Sequence, residues 1–151
     1  MAHKIHTTSA FIIAERPSGE ANKLLTLFTR ELGLLHASAR SVREVRSKLR
    51  YNLSLYSRSR VSLVQGREYW IITGAEESSG DISPTMATLL LRFLGAHEPQ
   101  VEIFDEIVSG RRPERELTLK ILDILGYVGR EPSSERETEE FIERAVYASH
   151  L

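Results

Sequence analysis

The residues with the clearest potential for chemistry form one short basic segment. Residues 40–50 (RSVREVRSKLR) carry five Lys or Arg side chains and one Glu in eleven positions. Long cationic side chains separated by small residues can follow a nucleic-acid backbone and release its condensed counterions. The segment therefore predicts phosphate contacts. A solvated surface loop stays open as the alternative, because Lys and Arg are common on protein surfaces.

Aromatic side chains near this segment would favour single-stranded nucleic acid as the ligand, because proteins that bind single strands stack bases on aromatic rings in addition to contacting phosphates. Tyr51 and Tyr56 flank the segment, and Tyr56 shares strand parity with Arg58 and Arg60. Burial in a barrel core is the alternative for each aromatic residue, and it stays open for Tyr51 and Tyr56. We favour the core for Phe11, Phe28 and Trp70, and note Tyr69 beside Trp70 at the start of a later strand. The candidate nucleic-acid-binding residues are Arg40, Arg43, Arg46, Lys48, Arg50, Tyr51, Tyr56, Arg58 and Arg60.

Catalytic and cofactor motifs are missing from the sequence. It has no cysteine, which excludes disulfides, thiolate-bound zinc, iron–sulfur clusters and thiol nucleophiles. It also contains no GxxxxGK[ST] phosphate loop and no GxGxxG after a strand. The histidines are scattered without metal-ligand spacing, at His3, His6, His36, His97 and His150. We therefore expect a binding protein rather than an enzyme, with no cofactor and no metal.

Charge is divided unequally along the chain. Residues 1–80 carry 12 Lys and Arg against 7 Asp and Glu, a net charge of +5, whereas residues 81–151 carry 8 against 14, a net charge of −6. This asymmetry is typical of a protein whose one half meets a polyanion. The N-terminus lacks the apolar stretch of a signal peptide, so we expect a cytoplasmic, nucleoid-associated protein.

The elements that must position the basic segment are β-strands. Five short runs with strand-like periodicity or composition fall at residues 9–14, 24–29, 34–40, 53–63 and 69–73, with turn signals at residues 17–19, 31–33 and 65–66. Five short strands in about 80 residues predict a small antiparallel barrel, of which the OB fold is the five-stranded nucleic-acid-binding form. An SH3-like barrel or a small sandwich would give a similar pattern.

After Gly80 the hydrophobic period changes from two to three and four, which predicts helices. Ser83 and Pro84 supply a helix start before Met86, and further helices are expected over residues 99–109, 113–125 and 134–149. Gly110 and Gly126 are placed as C-terminal stops. The predicted fold is α+β, with an OB-fold barrel in residues 1–80 and an α-helical domain in residues 81–151. The boundary is expected in residues 76–83, and the helices are expected to pack on the barrel.

Several ordered motifs resemble the RecO family of bacterial DNA repair proteins. They are residues 11–20 (FIIAERPSGE), 24–33 (LLTLFTRELG), 37–43 (ASARSVR), 47–50 (SKLR) and, farther on, 117–127 (LTLKILDILGY). The resemblance implies an OB fold that binds single- and double-stranded DNA, anneals complementary strands and, with RecR, helps load RecA onto DNA. It also implies docking of the single-strand-binding protein tail, and it carries a DNA role onto the basic residues of the 40–50 segment.

This sequence departs from the family pattern after residue 127, where many relatives continue into a four-cysteine zinc motif and more helices. The shorter helical part puts the single-strand-binding protein partnership in question. An OB-fold RNA-binding module and a protein-interaction adaptor remain alternative hypotheses, since phosphate contacts alone do not distinguish DNA from RNA.

Overall fold

A computed structural model describes residues 4–40 and 52–149, apart from the side chains of residues 77–79. The chain divides into two compact units, Met1–Val101 and Glu102–Leu151. The first unit holds the strands and one helix, and the second holds the remaining described helices.

The first unit is built on a closed five-stranded barrel. Its strands are β1 (Ile5–Ser18), β2 (Asn22–Thr29), β3 (Gly33–Ala39), β4 (Ser57–Gln65) and β5 (Trp70–Asp81). The neighbour order is β1-β2-β3-β5-β4, and β4 returns to pair with β1. Every pairing is antiparallel except that of β3 with β5. The predicted OB-type barrel is confirmed.

The barrel interior is filled by alternate side chains of the strands. Leu25 and Leu27 of β2 point inward, as do Val61 and Leu63 of β4, and all four are fully buried. The interior positions of β1 and β3 are occupied by Ala10, Ile12, Leu35, Ala37 and Ala39. Small and large side chains alternate because a five-stranded barrel has little internal space.

Phe11 and Phe28 are buried as predicted, but on the outer face of the barrel rather than inside it. They form a cross-strand pair, and each alternates with inward residues of its own strand. Their burial requires a cover, and helix α1 (Pro84–Phe93) packs against β1. Trp70, the third aromatic residue assigned to the core, is only partly buried, and its ring meets His6 edge-on at 5.3 Å.

Helix α1 begins where the sequence predicted it. The Ser83 hydroxyl accepts a hydrogen bond from the Met86 N–H at 3.0 Å, and Pro84 occupies the first turn. The chain after α1 then runs along β3, where the His97 N–H donates to the Leu34 carbonyl at 2.8 Å. Gly33 has φ +74°, and a Cβ there would collide with the backbone of Glu98. This close approach holds residues 96–98 against the β2–β3 hairpin.

The second unit contains helices α2 (Val101–Ser109), α3 (Glu114–Ile124) and α4 (Glu135–Ala148). Their buried side chains are Ile103, Phe104, Ile121, Leu122 and Ala145. Arg115 of α3 joins Glu135 and Glu139 of α4 through ion pairs of 2.8 and 2.6 Å. No helix in the described part of the chain has the length and apolar character needed to cross a membrane.

Two sequence-based expectations about strand limits are wrong. Leu53 and Leu55 were assigned to the fourth strand, but they precede it. Leu53 is buried in the barrel core from a non-strand segment, and Leu55 packs against that core. Residues 76–80 were expected to be part of a linker, but they belong to β5, where Glu76 pairs with Arg60.

Candidate nucleic-acid interface

Five of the predicted site residues lie outside the described residues: Arg43, Arg46, Lys48, Arg50 and Tyr51. Arg40 is described and exposed, directly after the end of β3. The chain is described again from Asn52, whose side-chain amide donates to the Ala75 carbonyl at 2.9 Å. The Ser59 hydroxyl in turn donates to the Asn52 carbonyl. The described residues on either side of this gap, Arg40 and Asn52, therefore both adjoin the barrel.

Arg58 and Arg60 lie on the outer face of β4, as their parity predicted. The Arg58 guanidinium extends over Gly80, with its Nη2 atom 3.6 Å from the position of a Cβ there. Arg60 is exposed and stands opposite Glu76 on β5. In the barrel order, β5 lies between β3 and β4, so the strand of these two arginines does not pair with the strand that precedes Arg40.

Tyr56 does not share the strand face of Arg58 and Arg60, which corrects the sequence-based expectation. It precedes β4 and has φ +68°, a left-handed conformation that interrupts the strand alternation. Its N–H donates to the Ile12 carbonyl at 2.7 Å, and its carbonyl accepts from the Ile82 N–H at 2.9 Å. The backbone of Tyr56 thus joins β1 to the end of β5, and its side chain is half-buried.

The outer face of β1, β2 and β3 carries a second group of polar and apolar side chains, farther along the strands from Phe11 and Phe28. Ala14, Thr26 and His36 lie side by side across the three strands. The Thr26 hydroxyl and the His36 Nδ1 atom are 3.1 Å apart and share a hydrogen bond. Two residues along each strand, Arg16, Leu24 and Ser38 form the next row on the same face.

A β-bulge at Ile13 decides which side chains of β1 reach this face. Ile12 pairs with Leu27 and Ala14 with Thr26, so Ile13 is the additional residue. Beyond the bulge the strand alternation is reversed, which directs Arg16 to the outer face. Without the extra residue, Glu15 would occupy that orientation instead.

Tyr69 completes a shallow pocket beside these rows. It precedes Trp70, which pairs with Ala37, so Tyr69 lies next to His36. Its side chain is 38% exposed. The resulting cavity has a volume of about 300 Å³ and is called the outer-face pocket below. Its lining residues are Ala14, Glu15, Arg16, Leu24, Thr26, His36 and Tyr69.

The charges around the outer-face pocket are net positive. The Glu15 carboxylate pairs with Lys23 at 3.2 Å, while Arg16 makes no ion pair with any residue in ranges 4–40 and 52–149. Sequence reasoning had named Tyr69 as a candidate aromatic residue but had not selected Arg16 or His36. Grouping them requires the strand register and the bulge, and neither has a sequence signature.

The first 79 residues, more than half of the chain, match the family described as "Recombination protein O N terminal". The chain belongs to the RecO family. The DNA repair protein RecO of Dehalococcoides mccartyi is 41% identical over 69 residues, which is 46% of this chain and 27% of that protein. The DNA repair protein RecO of Pelotomaculum thermopropionicum is 29% identical over 122 residues, 81% of this chain and 46% of that protein.

A third RecO relative, from Gloeothece citriformis, is 30% identical over 131 residues, and the match again covers 46% of the relative. The chain therefore spans less than half the length of these relatives. Family membership confirms the sequence-based resemblance, which was drawn from motifs in both halves of the chain.

Proposed function

We propose that this RecO family chain acts in DNA repair and recombination by binding DNA strands on its barrel. The observation that carries the proposal is the basic sequence of residues 40–50, which connects β3 and β4 of an OB-type barrel and is soon followed by Asn52, whose side chain is hydrogen-bonded to the barrel. Five cations in one connection between two strands give the barrel a concentrated positive charge, which attracts phosphates.

The charge of the first unit supports the same proposal. Residues 1–101 carry 13 Lys and Arg against 9 Asp and Glu, a net charge of +4, and residues 102–151 carry 7 against 12, a net charge of −5. A polyanion is attracted to the first unit and repelled by the second. The proposed contacts are therefore those of the barrel unit, with Arg40, Arg43, Arg46, Lys48 and Arg50 on phosphates.

The proposal also includes more specific activities, which family membership supports. They are binding of both single- and double-stranded DNA, strand annealing, and loading of RecA together with RecR. Docking of the single-strand-binding protein tail is proposed for the helical part, residues 81–151, which is our proposed second domain by its helical content, although α1 belongs to the first compact unit. Annealing suits a basic surface because neutralised phosphates let two complementary strands approach each other.

The experiment that tests the proposal is a salt titration of DNA affinity. We expect log affinity for single-stranded DNA to fall linearly with log salt, by about 0.7 per phosphate neutralised. Replacing Arg43, Arg46, Lys48 and Arg50 together with Ala is expected to flatten the slope by up to about 2.8, since four contacts are removed. Annealing of complementary strands should slow in the same variant.

The matched control removes four exposed cations from the second unit, Arg111, Arg112, Arg136 and Arg144. It changes the net charge equally and is expected to keep the wild-type slope. A folded basic-segment variant with wild-type affinity and slope would contradict the proposed DNA path. RNA of equal length is titrated in parallel, because tighter RNA binding would favour the RNA-module hypothesis and binding of neither ligand would favour an adaptor.

A further inference from the structure

We propose that the outer-face pocket is a nucleobase subsite, which holds one base of a single DNA strand against the ring of Tyr69. The inference rests on the proposed function and deepens it by naming a place where a base, rather than a phosphate, is bound. None of the lining residues belongs to the basic segment, so the two contacts can be tested separately.

The shape of the outer-face pocket fits a small flat group. Its volume of about 300 Å³ is at the lower end of the range of small-ligand sites, roughly 300–1,000 Å³. Ala14 and Leu24 supply an apolar surface, and Tyr69 supplies an aromatic ring that remains 38% exposed. Every base has a π-face, so such a ring binds bases with little sequence preference.

The position of Tyr69 is fixed by the barrel. Gly66 begins the turn between β4 and β5, and a Cβ there would collide with the Tyr69 carbonyl oxygen. One residue later, Trp70 is hydrogen-bonded into the sheet beside Ala37. Because the backbone on both sides of Tyr69 is held in place, less conformational entropy is lost when a base stacks on its ring.

Polar groups around the ring suit the edge and the phosphate of a nucleotide. The hydrogen bond between Thr26 and the His36 Nδ1 atom orients the imidazole, and His36 Nε2 has no hydrogen-bond partner within the described chain. The bulge at Ile13 brings the Arg16 guanidinium to the same face, where it is available to a phosphate. The Glu15 carboxylate is compensated by Lys23 at 3.2 Å and therefore repels an anion less.

The outer-face pocket also lies next to the start of the basic segment. Ser38 is in the row of Arg16 and Leu24, and Arg40 follows two residues later, beyond the pairing of Ala39 with Lys23. Two residues of a strand span about 6.8 Å. A DNA strand with one base in the pocket can therefore continue directly onto Arg40.

The test compares a short oligothymidylate with an abasic oligonucleotide of the same length by fluorescence anisotropy. We expect the wild-type protein to prefer the ligand that carries bases. Tyr69→Ala should bind oligothymidylate about 5- to 150-fold more weakly and lose the preference, whereas Tyr69→Phe keeps it because the ring is retained. Arg16→Ala should weaken both ligands alike and lower the salt slope by about 0.7.

Two further variants separate stacking from folding. Tyr69→Leu keeps an apolar side chain at the turn without a π-face, so a folded Tyr69→Leu protein should lose the preference even if Tyr69→Ala does not fold. Tyr147→Ala removes a tyrosine that is 72% exposed in the second unit and should leave the preference unchanged.

The possible failures are distinguishable. If the wild-type protein binds neither oligonucleotide, the proposed function and the subsite both fall. If it binds both equally, or if folded Tyr69→Leu keeps the preference for bases, the nucleobase subsite is wrong while DNA binding by the basic segment stands.

Discussion

Tyr56 shows how much a single backbone conformation can change an interpretation made from residue spacing. Alternation along an uninterrupted strand placed its side chain with Arg58 and Arg60, but its φ of +68° turns the chain before β4 begins. A non-glycine residue in this region carries strain of roughly 1–2 kcal/mol, which the surrounding structure must offset. The two backbone hydrogen bonds of Tyr56, to Ile12 and Ile82, provide part of that compensation.

A pair of substitutions at Tyr56 measures the strain. Tyr56→Gly and Tyr56→Ala both remove the side chain beyond Cβ, but only Gly adopts a positive φ at no cost. We expect Tyr56→Gly to be more stable than Tyr56→Ala by about 1 kcal/mol in urea unfolding, which reverses the usual order of these residues. Equal stabilities would show that the left-handed conformation is not retained.

The candidate site could be predicted in part at this scale. The basic segment and the exposure of Arg40 and Arg60 are visible in composition and parity, because solvent-facing positions of a strand are polar. Arg16 and His36 were not selected, because their neighbours are set by the bulge at Ile13 and by strand register. These features depend on contacts between strands, which spacing along one strand does not contain.

At the scale of single elements, the start of α4 holds a carboxyl group, that of Glu137, whose pKa lies well below its ordinary value. The Ser133 N–H and the Ser133 hydroxyl donate to the Glu137 carboxylate at 2.6 and 2.7 Å, and Arg130 pairs with it. These bonds, the Ser133 N–H first, lower the pKa of Glu137 from 4.5 to about 2. Ser134 accepts a hydrogen bond from the Glu137 N–H, and the Glu137 carboxylate returns to Ser133, one residue before the cap.

The Glu137 contribution to stability is expected to depend on pH. Because the folded pKa lies below the unfolded value, ionised Glu137 stabilises the fold fully above pH 4.5, and this stabilisation is lost as the pH falls toward 2. We expect Glu137→Gln to lower the thermal midpoint near neutral pH, and the difference from the wild type to narrow between pH 4.5 and 2. Ser134→Ala, which costs about 1 kcal/mol by removing an uncharged cap, is the control whose deficit should change little over this window.

The end of α3 explains the Leu-Gly-Tyr motif of residues 125–127. Gly126 has φ +87°, its N–H donates to the Asp123 carbonyl at 3.0 Å, and the Tyr127 N–H donates to the Leu122 carbonyl at 2.9 Å. This is the hydrogen-bond pattern of a Schellman motif, in which glycine is favoured because the position is left-handed.

Gly126→Ala is expected to destabilise the second unit by about 1–2 kcal/mol, because a Cβ is strained at this φ although the space around it is open. Gly129→Ala is the matched control. Gly129 also faces open space but lacks a positive φ, so its replacement should be close to neutral. Chemical denaturation of both variants measures the difference, and equal losses would argue against conformational strain as the cause.

Helix ends were predictable from sequence because caps are local. Ser83, Gly110 and Gly126 act where the residue pattern placed them, and the last helix begins at the start of its expected range, after the cap Ser134. Strand lengths were underestimated, since β1 and β5 continue through polar residues that only pairing with a neighbour identifies as strand.

At the scale of the whole molecule, the first compact unit extends beyond the last strand. Helix α1 packs against β1, whose outer face carries Phe11, and residues 96–98 are held at Gly33. The change from strands to helices occurs after Asp81, near the predicted position, but the compact units divide between Val101 and Glu102. The helix and its following loop are thus part of what makes the barrel stable.

A comparison of fragments tests this organisation. We expect residues 1–101 to unfold cooperatively, whereas residues 1–80 should be less stable by about 3 kcal/mol or more, because Phe11 and Phe28 lose their cover. Urea denaturation followed by circular dichroism makes the measurement. Gly33→Ala should destabilise the longer fragment more than the shorter one, since Glu98 is present only in the longer fragment. Equal stability of the two fragments would contradict this role of residues 81–101.

The same packing sets the order in which a growing polypeptide can acquire its structure on the ribosome. The β1–β2–β3 meander pairs strands that are close in sequence and can form early. The barrel closes only after Val64 of β4, the partner of Ile5, has been synthesised. The close contact of Gly33 with the Glu98 backbone can form only after 65 further residues have been synthesised. Until then, Phe11 and Phe28 lack their cover and are available to chaperones, because apolar surface waiting for distant partners is the usual target of assisted folding.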